Sequence, residues 1–172
     1  MRQDIRSSLG STTLVDGVTL TFTFTLTDLA QGSTPLAGAA VYLWQCDAQG
    51  RYSMYSEGVE DETFLRGIQV ADAQGMVTFT TIVPGCYAGR WPHLHFEVYP
   101  DAASATSSGN AIATSQVAFP KEMVSTVYAE STYPGSASNL GQVSLETDNV
   151  FSDGYALELG TFAGDPTAGY TG

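Results

Sequence analysis

Positive charge is scarce in this chain. Six Lys and Arg stand against eighteen Asp and Glu among 172 residues, a formal net charge of −12. Nucleic acids and anionic membrane surfaces are held through clustered cations, so the balance counts against both as partners. It also disfavours a substrate that bears several carboxylates. No apolar run reaches the length of a membrane span. The opening Met1-Arg2-Gln3-Asp4-Ile5-Arg6 lacks the apolar core of a signal peptide, so an exported protein would have lost its signal ahead of Met1. High acidity suits an extracellular protein, and secretion is the expectation. Two cysteines, Cys46 and Cys86, are too few for a disulfide-built scaffold. They can pair, stay free or serve as ligands.

What is present is apolar bulk and alternation. Hydrophobic residues make up 43% and aromatics 11%, enough for one core, and the length fits a single domain over residues 1–172 with a polar arm at 1–17. From Val18 to Thr27, Leu20, Phe22, Phe24 and Leu26 alternate with threonines, which predicts a half-buried antiparallel strand. Val41 to Cys46 and Ile112 to Phe119 read as further strands. Asp47-Ala48-Gln49-Gly50 reads as a turn, and Asp72-Ala73-Gln74-Gly75 repeats its four letters. The second copy predicts a hairpin joining Ile68-Gln69-Val70 to Met76–Thr80. Pro120 to Tyr128 is the best helix candidate, with Pro at its first turn and Met123 and Val127 on one face. Gly141 to Leu145 and Tyr155 to Phe162 read as closing strands. The expected fold is all-β: an antiparallel sandwich of two mixed sheets with long loops and at most one or two short helices.

The chain has two histidines, and they stand two apart in Trp91-Pro92-His93-Leu94-His95-Phe96-Glu97-Val98-Tyr99. On a strand, residues i and i+2 share a face, so both imidazoles project side by side where one metal ion can bridge them. A bare H-x-H can equally be a solvated or core-satisfied pair. With Cys46 and Cys86 or a carboxylate, the same histidines would make a zinc hydrolase site. A sandwich that merely carries iron, or holds no metal at all, is a third reading.

Two tyrosines sharpen the choice. Tyr52 follows Gly50-Arg51, and Tyr87 ends Pro84-Gly85-Cys86, six residues before His93. A phenol is protonated at neutral pH, so only a strongly Lewis-acidic ion displaces its proton. Two phenolates and one hydroxide would balance a 3+ ion, with two neutral imidazoles completing the set.

Gly50-Arg51-Tyr52, Pro84-Gly85-Cys86-Tyr87 and Gly89-Arg90-Trp91-Pro92-His93-Leu94-His95-Phe96 together resemble the intradiol ring-cleaving dioxygenases. Protocatechuate 3,4-dioxygenase and catechol 1,2-dioxygenase belong to that family. The resemblance runs from Pro35 to Tyr99, fades by Phe119 and leaves the final third without a motif. It implies a non-haem Fe(III) bound by Tyr52, Tyr87, His93 and His95, with Tyr55 a weaker rival for Tyr52. It implies that Arg90 lies beside the substrate, that Gln116 lines the pocket, and that Tyr87 leaves the metal and accepts a substrate proton. The partners implied are a small catechol-type aromatic diol and O2, and the product a cis,cis-muconate, a step of aromatic compound catabolism. The two cysteines are not ligands in the family, which suggests a Cys46–Cys86 disulfide tying the two tyrosine-bearing segments together. The helical N-terminal dimerisation region of catechol 1,2-dioxygenases is missing, which places the chain nearer the compact, often exported members and leaves its oligomeric state open.

Overall fold

Residues 1–172 are described by a computed structural model. The alternating run forms β1 (Thr19–Thr25), with Leu20 and Phe22 buried. The short strands β2 (Thr27–Asp28) and β3 (Thr34–Pro35) pair with each other in the loop that follows. Next come β4 (Ala40–Trp44), β5 (Arg66–Val70), β6 (Met76–Ile82), β7 (His93–Tyr99) and β8 (Ala113–Ala118). Two short helices, α1 (Lys121–Val127) and α2 (Ser136–Leu140), precede the closing strands β9 (Ala163–Asp165) and β10 (Gly169–Thr171).

Two four-stranded sheets, ordered β6-β1-β10-β9 and β5-β4-β7-β8, pack face to face. The first is mixed through the parallel β1–β10 pair; every pair of the second is antiparallel. Inward residues alternate along each strand: Leu20, Phe22, Val77 and Phe79 from one sheet meet Val41, Leu43, Leu94 and Val98 from the other. On the opposite face of β4 and β7 lie Tyr42, Trp44, His93, His95, Glu97 and Tyr99. His93 and Tyr99 are nevertheless buried, because loops cover this face.

The hairpin differs from expectation, and the N-terminal arm explains why. β5 and β6 do not pair; they are edge strands of different sheets. The N-terminal arm fills the slot between them. Arg2 N donates to Ile68 O, Ile5 N to Thr80 O, and Thr80 N to Gln3 O. Ile5 is fully buried in this seam. The Asp72 turn therefore carries the chain from one sheet to the other.

Both copies of the repeated turn close identically. Asp47 Oδ1 accepts from Gln49 N and Arg51 N, and Asp72 Oδ1 accepts from Gln74 N and Met76 N. Gly50 and Gly75 take the left-handed backbone at φ 81° and 76°.

The predicted helix forms as α1, with Pro120 at its N-cap and Met123, Val124 and Val127 buried. The closing strands lie later than the sequence suggests. Residues 141–145 and 155–162 form mostly turns, and their one strand-like pairing with the sheets is an Ala118–Leu159 bridge. The side chains of Thr147 and Asp148 capture the backbone of Ser144 and Val150 there and compete with strand pairing.

Candidate metal centre

The two histidines share the outer face of β7, with ring centroids 4.6 Å apart. Strand register builds the rest of this face. His95 stands opposite Trp44 on β4 and opposite Gln116 on β8. Directly opposed residues project to the same side. Trp44 stacks on the His95 ring at 4.7 Å and 5°. Phe151, fully buried, packs edge-on to His93 with centroids 6.3 Å apart.

Tyr52 reaches the same point from the loop after the first turn. Its Oη lies 3.3 Å from His93 Nε2 and 3.1 Å from His95 Nε2, and the two Nε2 atoms are 3.0 Å apart. The Asp47 carboxylate holds that loop, accepting from Arg51 Nε and Nη2 at 2.9 and 2.8 Å. Tyr87 closes the group, its ring 5.8 Å from Tyr52 and 6.0 Å from His93. Tyr55 does not take part. It is 71% exposed, and the guanidinium of Arg66 lies over its ring.

The loop that presents Tyr87 is fixed from the chain's final third. Tyr133 Oη donates to Val83 O and Tyr128 Oη to Pro84 O, each at 2.9 Å. Cys86 N donates to Ser136 Oγ, and Asn139 Nδ2 donates to Cys86 O. The two thiols are free, which corrects the expected disulfide. Cys46 Sγ faces Gly85 O at 3.4 Å and Cys86 Sγ faces Arg90 O at 3.5 Å. Both sulfurs are spent on backbone carbonyls, and burial pushes the Cys86 thiol up to about 11.

Arg90 and Gln116 come together at the rim of the cluster. Arg90 Nη2 donates to Gln116 Oε1 at 2.6 Å, and Arg90 Nε donates to Asp148 Oδ2 at 2.9 Å. Asp148 is fully buried and is absent from the sequence reading. Nothing marks it in the sequence: it is one of eighteen acidic residues, in a stretch without periodicity. Burial pulls its carboxyl upward, but hydrogen bonds from Arg90 and from the Trp91 and Val150 backbone outweigh this and hold it below the usual range.

The electrostatics suit a cation. Burial lowers His93 to about 4 and His95 to about 3, so both imidazoles are neutral at pH 7. His93 Nδ1 lies 2.5 Å from Trp91 O, a pure acceptor, so the proton sits on Nδ1 and Nε2 offers a lone pair to the cluster. Burial drives the Tyr52 phenol far up, with Cys46 and Tyr87 adding to the effect. Burial also raises Tyr87, against opposing contributions from Tyr52 and Arg90. Two neutral imidazoles and the reluctant Tyr52 phenol within 3.3 Å of one another leave lone pairs converging where only a proton or a cation can satisfy them. A Tyr2His2 set of this kind fits a ferric ion: hard, trivalent and acidic enough to displace phenolic protons. No three His, Cys, Asp or Glu side chains converge anywhere in the chain, so the zinc reading finds no third ligand.

Comparison with known proteins bears on the family and the fold. The sequence profile of the family described as Dioxygenase matches residues 8–94, just over half of the chain. The protocatechuate 3,4-dioxygenase beta chain of Burkholderia cepacia is 34% identical in an alignment that takes in 42% of this chain and 36% of that one. The chain thus matches little more than a third of that curated relative. An intradiol ring-cleavage dioxygenase from Tetranychus urticae superposes with a TM-score of 0.80 at 27% identity, covering 100% of this chain and 83% of that one. The dioxygenase domain of a dioxygenase carbohydrate-binding fusion from Streptomyces sp. SirexAA-E superposes with a TM-score of 0.61 at 26% identity, covering 99% and 85%.

Proposed function

The chain belongs to the intradiol ring-cleavage dioxygenase family, and from that membership we propose that it opens the ring of a catechol-type aromatic diol with O2. The observation that carries this reading is the meeting of Tyr52 Oη, His93 Nε2 and His95 Nε2 within 3.3 Å, with Tyr87 beside them and Arg90 at the rim. Tyr52, Tyr87, His93 and His95 would hold a ferric ion. Held by these four side chains, a ferric ion would supply Lewis-acid activation of the diol toward O2.

The protein's own groups divide the remaining work. Tyr87, the less buried of the two phenols, would sit as a phenolate while it holds the ion. Burial raises its proton affinity, so once released that phenolate is a base suited to take up one diol proton, the other passing to solvent. The Arg90 guanidinium would stabilise negative charge developing on the ring. Gln116 holds that guanidinium by one Nη. Trp44 and Phe151 press on the two imidazoles from outside and limit water access. Both atoms of O2 enter the product as the bond between the two oxygenated carbons breaks. The electrons released by that cleavage reduce the oxygen, so no other reductant is needed, and catechol with O2 gives cis,cis-muconate.

The site also bears on substrate charge. Arg90 is already paired with Asp148, so it is placed to offset charge that develops in the reaction and not to bind a substrate carboxylate as a free cation. Together with a net charge of −12, this favours neutral catechols over polycarboxylated ones.

Ferric loading, visible absorption and an oxygen electrode test the proposal. The loaded chain is expected to be red-brown from phenolate-to-iron charge transfer and to consume O2 with catechol. The His93→Ala variant should lose iron, whereas Tyr87→Phe should keep some iron and lose most turnover. A colourless chain after ferric loading would end the metal assignment. A coloured chain that consumes no O2 across a panel of catechols would leave an iron-binding sandwich without catalysis.

A further inference from the structure

We propose that Asp148 is a positioning residue: it fixes the guanidinium of Arg90 at the rim of the metal-binding cluster. The inference rests on the catalytic reading of Arg90 given above. Its basis is how the Asp148 carboxylate distributes its two oxygens. Oδ1 serves its own turn, accepting from Val150 N at 2.8 Å and Phe151 N at 3.3 Å. Oδ2 leaves the turn altogether and accepts from Arg90 Nε at 2.9 Å and Trp91 N at 2.7 Å.

An arginine side chain is long and flexible, and holding it at one atom leaves the fork free to rotate. Arg90 is held at two. Asp148 takes Nε and Gln116 takes Nη2 at 2.6 Å, from β8 on the other side. Two anchors on a planar group fix both its position and the direction its plane faces.

A purely structural role for the pair is less economical. The Asp148 side chain is fully buried and Arg90 is 16% exposed. Removing two charges from water costs about as much as their attraction returns, so a buried ion pair contributes little net stability. The turn and Trp91 N need only a neutral acceptor. What requires a carboxylate is the guanidinium. The same turn also carries Phe151, which packs on His93. Asp148 therefore ties the Arg90 rim and one histidine to a single short segment of the final third.

The test uses the full chain with and without iron. In the metal-free wild type, the Arg90 Nε–H should give a resolved proton–nitrogen resonance that exchanges slowly with solvent. Exchange at the free-arginine rate would overturn the proposal without any variant being made. In Asp148→Asn, which retains the Oδ1 acceptor for Val150 and Phe151, that resonance should move or vanish. The iron-loaded variant should keep the visible band of the wild type while kcat for catechol falls ten- to hundredfold and KM changes less than threefold. Arg90→Lys keeps the charge but cannot span both anchors, and it should lose kcat to a similar extent. An unaltered resonance, or wild-type kcat, in Asp148→Asn would refute the role. If Asp148→Asn does not fold, the wild-type exchange rate and the Arg90→Lys kcat decide it instead. If the wild type itself proves inactive, the catalytic reading of Arg90 fails, whereas the resonance still reports whether Asp148 holds the guanidinium.

Discussion

Gly50 and Gly75 occupy the same step of two copies of one turn, yet substitution should affect the molecule differently. Both sit at positive φ, 81° and 76°, where a Cβ costs about 1–2 kcal/mol. A Cβ on Gly75 would lie 2.4 Å from Leu26 O, a backbone atom that cannot move aside. A Cβ on Gly50 would lie 2.9 Å from Tyr87 Cβ, a side chain of the candidate metal cluster. Gly75→Ala is therefore expected to lose roughly 2 kcal/mol or more of stability with no change at the cluster. Gly50→Ala should lose roughly 1–2 kcal/mol and shift Tyr87. Urea denaturation measures the first effect, and the visible spectrum of the ferric-loaded variant measures the second. A wild-type spectrum in Gly50→Ala would mean that the turn does not set the position of Tyr87. The G-R-Y segment thus gains a physical reason for its glycine: the turn and the tyrosine loop approach too closely for any side chain.

At the scale of elements, α1, α2 and the turn between them act as a clamp on the loop that carries Tyr87. Tyr128, Tyr133, Ser136 and Asn139 engage the backbone of Val83, Pro84 and Cys86. Ser136 is 1% exposed, so Ser136→Ala leaves Cys86 N–H buried without a partner, a loss of about 1–3 kcal/mol. Amide exchange at residues 85–87 should accelerate more than exchange in β1 or β7. Uniform acceleration across the sheets would show that the clamp acts on the whole fold and not on the loop. This clamp was not legible in the sequence. It links residues about fifty positions apart through side-chain hydrogen bonds that leave no periodic trace. The H-x-H face was legible because strand alternation is local, whereas Gln116 was named only through the family resemblance; its place opposite His95 is set by the β7–β8 register. The apparent hairpin at 68–80 misled for the converse reason. Its turn is real, but partner choice was decided by an arm far away in the chain.

That arm determines how the two sheets meet. Arg2, Gln3 and Ile5 bond to Ile68, Thr80 and Leu65, and the Arg2 guanidinium donates to the carbonyls of Ser7, Thr63 and Arg66. Ile5 packs where Gly67 leaves room: a Cβ there would lie 2.5 Å from Ile5 Cγ2 and 3.2 Å from Arg2 O. Gly67 has no left-handed backbone to explain it, so its glycine answers to this contact alone. Ile5→Ala should cost about 3 kcal/mol as a buried large-to-small change. Gly67→Ala should also destabilise, by forcing the arm outward. The two losses should not add, because shortening Ile5 removes the atom that the new methyl strikes. Urea denaturation of both single variants and the double variant measures the coupling. The double variant is expected to be more stable than the sum predicts by about 1 kcal/mol or more. Additive losses would place the arm outside the seam. The same arm reaches the site through a short chain of contacts: Leu65 N donates to Ile5 O, Ser53 Oγ donates to Phe64 O, and Ser53 adjoins Tyr52. Loosening the seam should therefore weaken ferric loading of the candidate site, read from its visible band, as well as the fold, because the Tyr52 loop anchored to a mobile edge cannot hold its phenol at the distance the two imidazoles set.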